Sequence, residues 1–285
     1  MIQKMNRDLL LRWFYSISWR VNTRYSGEFG YELISVLPFA YWLKQKGKLG
    51  KSISSKDTKC FYFFSKNHIE KYQERDFVIP RVFPINDIHV SNLSTTMWSP
   101  PPLKSHYMND EFIFDKPILI ICNKFNSEWG GSPVTFFDLD CLKTLFDRFH
   151  NQYQIIYFRP EGSDIVTDNS QVYRLDEYDY IRTHYKSVIL IQDLVKEYPQ
   201  YTFNEVQLKC FANSNRFITT QGGYAILASY FKGINVIYGA CSKDGRMADE
   251  IKLNAFENWY PLFSGSTIFY SPTYEDLYKY TAVHF

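Results

Sequence analysis

The stretch that most restricts the fold of this chain runs from Asn215 to Tyr238. Phe217 to Thr220 reads as a short strand, Thr219-Thr220-Gln221-Gly222-Gly223 as a tight turn, Tyr224 to Phe231 as a helix, and Ile234 to Tyr238 as a second buried strand. A helix that starts directly after two glycines offers free backbone N–H groups and the positive end of its dipole. That is a seat for a phosphate or diphosphate.

The same alternation recurs along the chain. In a first unit, Val21 to Tyr25 reads as strand, Ser26 to Gly30 as a glycine loop and Tyr31 to Lys46 as a helix that Pro38 should kink or restrict. Cys60 to Phe64 is expected as the second strand, with a third within Phe77 to Ile85. Pro100-Pro101-Pro102 breaks the pattern. In a second unit, Pro117 to Cys122 is a continuous apolar run, as in a strand buried on both faces. Further strands are expected at Gln154–Phe158, Ser187–Ile191, Phe217–Thr220, Ile234–Tyr238 and Thr267–Tyr270, with helices between them and a closing helix over Thr273–Tyr280. Such alternation implies mostly parallel sheets with right-handed crossovers. The expected class is α/β, with two Rossmann-like domains facing across a cleft: 1–110, 111–270, and a closing segment over 271–285.

Composition narrows the options. With 45% hydrophobic and 19% aromatic residues the chain can bury a sizeable core. A net charge of +2 supplies no global field for nucleic acid, so no nucleic-acid partner is expected. Cys60, Cys122, Cys141, Cys210 and Cys241 are scattered and without metal-ligand spacing, which fits reduced thiols in a cytoplasmic protein and predicts no metal. No run of about 18 uncharged apolar residues exists to span a bilayer. Residues 1–24 do combine Lys4, Arg7, Arg12, Arg20 and Arg24 with Leu9 to Leu11, Trp13, Phe14, Ile17 and Trp19. This segment reads either as an element packed on the body of the fold or as a peripheral contact at a membrane surface.

In open α/β sheets, ligands sit beyond the carboxyl ends of the strands. Four loops there hold the candidate residues. Thr219, Thr220, Gln221, Gly222, Gly223 and Tyr224 offer hydroxyls, amides and close backbone approach to phosphate oxygens; the alternative is a plain strand-to-helix turn. Arg159, followed by Glu161, can neutralise a leaving diphosphate, or it forms an ordinary surface ion pair. Lys124, Asn126 and Trp129 can meet phosphate, a sugar hydroxyl and a sugar face, or belong to an exposed loop. Glu28, in the loop with Gly27 and ahead of Tyr31, is a candidate general base; Glu32 is explained by its place in the first turn of a helix. Asp138-Leu139-Asp140 matches a DxD metal motif but stands where acids start a helix. No GxxxxGK[ST], GxGxxG or GxSxG occurs.

The block from Thr219 to Phe231 resembles the donor-binding block of small GT-B glycosyltransferases, the fucosyltransferase-like and related nucleotide-sugar enzymes. Arg159 is similar in placement to an arginine of their HxRR-type motif, although this chain reads Tyr-Phe-Arg-Pro-Glu there, and Gly27 to Gly30 is similar to their glycine-rich first loop. The resemblance implies metal-independent, inverting transfer of a sugar from a nucleoside diphosphate sugar to a hydroxyl of a glycan or lipid-linked acceptor, without a cofactor. Glu28 and Arg159 would be catalytic. Lys124, Asn126, Glu161 and Thr219 to Tyr224 would hold the donor, and Gly27, Tyr31 and Trp129 the acceptor. The alternative is a non-catalytic carbohydrate- or nucleotide-binding protein on the same fold.

Overall fold

The computed structural model describes residues 14, 15, 17, 19–76, 95–128, 131–161, 164, 166, 171–241, 245 and 254–285. The chain divides into two compact units, Met1–Pro101 and Pro102–Phe285.

In the first unit β1 (Val21–Arg24), β2 (Leu49–Ser55) and β3 (His68–Tyr72) form a parallel sheet in that order. Between β1 and β2 the chain is helical through Phe29–Tyr31, a π-helical Glu32–Val36 and Leu37–Gln45. Leu33, Ile34, Val36, Leu37, Phe39, Ala40 and Leu43 are all buried. Pro38 lacks the N–H that would bond the Ile34 carbonyl one turn earlier. The indole of Trp98 donates to that carbonyl instead, at 2.7 Å. The helix therefore passes through the proline without an orphaned acceptor.

Two first-unit expectations need comment. The second strand is Leu49–Ser55, not Cys60–Phe64, which forms consecutive turns. The cause is an inverted polarity. Strand β2 buries small serines (Ser52, Ser54, Ser55), while the apolar stretch Cys60–Phe64 fills core from a turn. The segment Phe77–Ile85 lies outside the described residues.

The second unit holds a six-stranded, all-parallel sheet. Its strands are β4 (Ile118–Cys122), β5 (Gln154–Phe158), β6 (Ile189–Leu190), β7 (Arg216–Thr220), β8 (Ile234–Tyr238) and β9 (Thr267–Ser271), in the order β6-β5-β4-β7-β8-β9. Every residue of β4 is buried, as expected at the centre of such a sheet. Helix starts are fixed by side chains. Asp138 caps Leu139–Phe149 by accepting from the Cys141 N–H at 2.8 Å, which accounts for the first acid of the DxD pattern. Thr202 and Glu205 form a reciprocal capping box on Phe203–Ala212. The last helix, Tyr274–His284, packs on β8 and β9 within this unit.

A buried polar network ties together the carboxyl ends of all three first-unit strands. Glu32, 2% exposed, pairs with the Arg75 guanidinium at 2.8 Å and accepts hydrogen bonds from Ser54 and, at 2.8 Å, from Tyr62. Arg75 also donates to the Gly27 carbonyl at 2.8 Å, and its guanidinium lies over the Phe29 ring. Glu32 is thus more than a first-turn acid. It anchors the arginine that holds the glycine loop. Beside it, His68 stacks on Tyr62 at 4.6 Å, with Ser52 Oγ 2.9 Å from its Nδ1 and Thr58 Oγ1 3.0 Å from its Nε2. Burial pushes the His68 pKa down, against the opposing pull of Glu32 and Glu70.

Replacing Arg75 by Met leaves the Glu32 carboxylate buried and uncompensated. Urea unfolding should show a loss of about 3–5 kcal/mol; a loss below about 1 kcal/mol would contradict the network's role. For His68, the folded ring resists the proton that the unfolded ring accepts near pH 6.5. Its contribution is present above about pH 6.5 and is lost as pH falls through the depressed folded value. Melting curves from pH 7.5 to 5 should therefore fall less steeply for His68→Asn than for the parent chain.

Candidate functional site

Successive connections run one way from β4 through β5 to β6, then cross to the other side of β4 to begin β7. The carboxyl ends of β4 and β7 therefore flank the one place where strand order reverses in this sheet, and that is where open α/β sheets take ligands. Cys122 pairs with Thr219 at this point, so the next residues on each side are Asn123 and Lys124, and Thr220, Gln221 and Gly222.

Gly222 has φ +121° and ψ −155°, a backbone conformation essentially restricted to glycine. It ends the strand and opens the helix Gly223–Ala228, which continues as a 3-10 turn over Ser229–Phe231. A β-carbon placed on Gly222 would lie 3.8 Å from Lys124 Nζ. The lysine ammonium therefore stands over the glycine turn, across the reversal point. Lys124 also pairs with Glu128 at 3.3 Å. The other oxygen of Glu128 accepts from the backbone N–H groups of Thr135, at 2.7 Å, and Val134, at 3.3 Å.

The two threonines part company. The Thr219 hydroxyl donates to Asn235 Oδ1 at 2.9 Å, and Asn235 Nδ2 donates to the Ala225 carbonyl at 3.1 Å. Thr219 thus joins strand to helix inside the fold. The Thr220 hydroxyl, at the strand end, is buried and has no hydrogen-bond partner among the described residues. Gln221 extends the β7–β8 ladder through its N–H to the Tyr238 carbonyl at 2.8 Å, and its side chain lies against Gly239. Tyr224 packs edge-on against Phe158.

Asn123, which ends the apolar β4 run, shapes the neighbouring loop. Its buried amide donates to the Phe137 carbonyl at 2.9 Å and accepts from the Phe137 N–H at 2.8 Å. Asn126 bridges antiparallel to Val172, with flanking bonds between Ser127 and Gln171 and between Phe125 and Tyr173. The Asn126 Oδ1 is buried without a hydrogen-bond partner among the described residues. Trp129 lies outside the described residues.

Arg159 follows β5 and is 2% exposed. Its Nε donates to the Glu177 carboxylate, and its guanidinium lies 4.6 Å from the centre of the Tyr178 ring. Glu161, over half exposed, stands 3.8 Å from the same guanidinium. Burial pushes the Glu177 pKa up, and Arg159 holds it back. The Arg159 carbonyl accepts from Tyr178 and from Gln192 at 3.0 Å. Glu177, Tyr178 and Gln192 are invisible as partners in the sequence, because only the β5–β6 pairing brings their helices to this strand end.

In the first unit, Glu28 is the residue before the helix and makes no side-chain cap, while its carbonyl accepts from the Glu32 N–H. Gly27 is buried and held by Arg75. Tyr31, 2% exposed, packs in the core with Tyr25 and Val36.

No protein-family model matches the sequence, and no curated protein matches it. Among solved structures, the chain is similar to the ADP-heptose LPS heptosyltransferase II of E. coli, with TM-score 0.52 and 8% identity over 93% of this chain and 98% of that one. It is also similar to a glycosyl transferase family 9 protein of Veillonella parvula, with TM-score 0.51 and 10% identity over 93% and 88%. Neither is a fucosyltransferase, so the likeness is to the fold in general. The chain has an α/β, GT-B-like fold built on parallel sheets.

Proposed function

We propose that this protein is a glycosyltransferase that moves a sugar from a nucleoside diphosphate sugar to a hydroxyl of a glycan or lipid-linked acceptor. The observation that carries this reading is the pairing of the Lys124 ammonium with the glycine turn at Gly222, where the sheet order reverses. A cation facing an open backbone suits a diphosphate, and the GT-B-like fold of the two solved neighbours agrees with it. The second unit is assigned to the donor and the first to the acceptor.

In this reading Lys124, shared between Glu128 and the donor, offsets part of the charge that develops on the departing diphosphate, and the amides of Gly222 and Gly223 bind its oxygens. The Thr220 hydroxyl and the Asn126 carbonyl oxygen, both buried and without a partner among the described residues, take hydrogen bonds from or to the donor. Arg159 is largely neutralised by Glu177, so it supports the loop after β5 more than it stabilises charge. Glu28 removes the proton from the acceptor hydroxyl in a single inverting displacement, and no metal or cofactor takes part.

A thermal-shift screen against UDP, GDP, CDP, ADP and dTDP, with and without EDTA, tests the reading. One nucleotide should raise the melting temperature whether or not EDTA is present. Lys124→Ala should weaken that nucleotide about 10- to 100-fold, the value of a charged hydrogen bond to phosphate. No shift with any nucleotide would end the donor assignment, and binding without release of free nucleotide from the matching sugar would favour a binding protein. The threonines should separate. Thr219→Val leaves Asn235 unsatisfied and should cost about 1–3 kcal/mol of stability. Thr220→Val should leave stability unchanged and weaken nucleotide binding.

A further inference from the structure

The charge of this chain is unevenly placed. Residues 1–24 hold five basic side chains and one acidic, which leaves 27 basic and 29 acidic of the chain's 32 and 30 for the rest. Tyr15 anchors the described part of this segment. It is 5% exposed, its ring packs edge-on against Phe39 at 5.2 Å, and its carbonyl accepts from Lys48 Nζ at 2.7 Å. With Tyr15 held inward, its near neighbours face out: Phe14 is 53% exposed, Ile17 54% and Trp19 94%. No other six-residue stretch among the described residues carries three large exposed apolar side chains. Arg20, next to Trp19 in the sequence, is exposed and lines a surface groove with the exposed Lys44 and Lys66.

We propose that the face presented by Phe14, Ile17, Trp19 and Arg20 docks on an anionic lipid bilayer. Trp19, Ile17 and Phe14 enter the boundary between headgroups and acyl chains, and Arg20, with Lys44 and Lys66 near it, meets lipid phosphates. The charge selects this occupant. A two-fold contact between copies of this surface would bring these like charges together, whereas an anionic bilayer complements them. This inference is independent of the donor site.

Sedimentation of the full chain with vesicles tests it, comparing pure phosphatidylcholine with a mixture containing a quarter phosphatidylglycerol. The chain should pellet with the mixed vesicles and stay in solution with the neutral ones, and added salt should release it. Arg20→Gln should weaken partitioning about fivefold and Trp19→Ala about tenfold or more. Because Trp19 is almost fully exposed, its variant should melt at the parent temperature. Failure to bind the mixed vesicles, or equal binding by Trp19→Ala, would overturn the proposal. So would light scattering that shows a dimer lost in Trp19→Ala, which would assign the patch to self-association.

Discussion

The second unit depends on one constraint. A sheet whose strands are all parallel can be reached only by crossovers, and the crossover into β7 reverses the direction of building around β4. At that reversal the connections that leave β4 and β7 diverge. The backbone must turn sharply from β7 into its helix, and Gly222 does so in a conformation that only glycine takes at low cost. The ammonium of Lys124, delivered by the neighbouring strand, then lies over the turn. In the proposed reading, the seat for a charged ligand is therefore a consequence of strand order, with one glycine and one lysine added to it.

The first unit shows a different economy. Its sheet has three strands, and buried charge joins the loops at their ends. Glu32 and Arg75 reach Ser54, Tyr62 and the Gly27 carbonyl, so a residue from each strand's end or following loop joins one network. Such a network weighs little against an apolar replacement but fixes one geometry, since removing either partner strands a charge. It fixes the loop that presents Glu28.

What was legible in the sequence follows from burial. Strands β4, β5 and β8 are largely apolar because both faces are covered, and their positions could be read directly, as could β7 from its place before the glycine turn. Strand β2 could not, because its inward residues are serines that serve the polar network, while the aromatic run Cys60–Phe64 imitated a strand. At the site, the glycine turn and Lys124 were visible as residue types at strand ends. The commitment of Thr219 to Asn235 and of Arg159 to Glu177 was not, because those partners lie 16 and 18 residues away and meet only through the sheet.

The most direct test of the account is hydrogen–deuterium exchange of the full chain with and without the nucleoside diphosphate that stabilises it. A ligand seated at the strand reversal should slow exchange in peptides covering Gln221 to Tyr224 and Asn123 to Asn126, and leave the helix Tyr274–His284 unchanged. Protection confined to other segments, with these two loops unaffected, would place the ligand elsewhere and contradict the central claim.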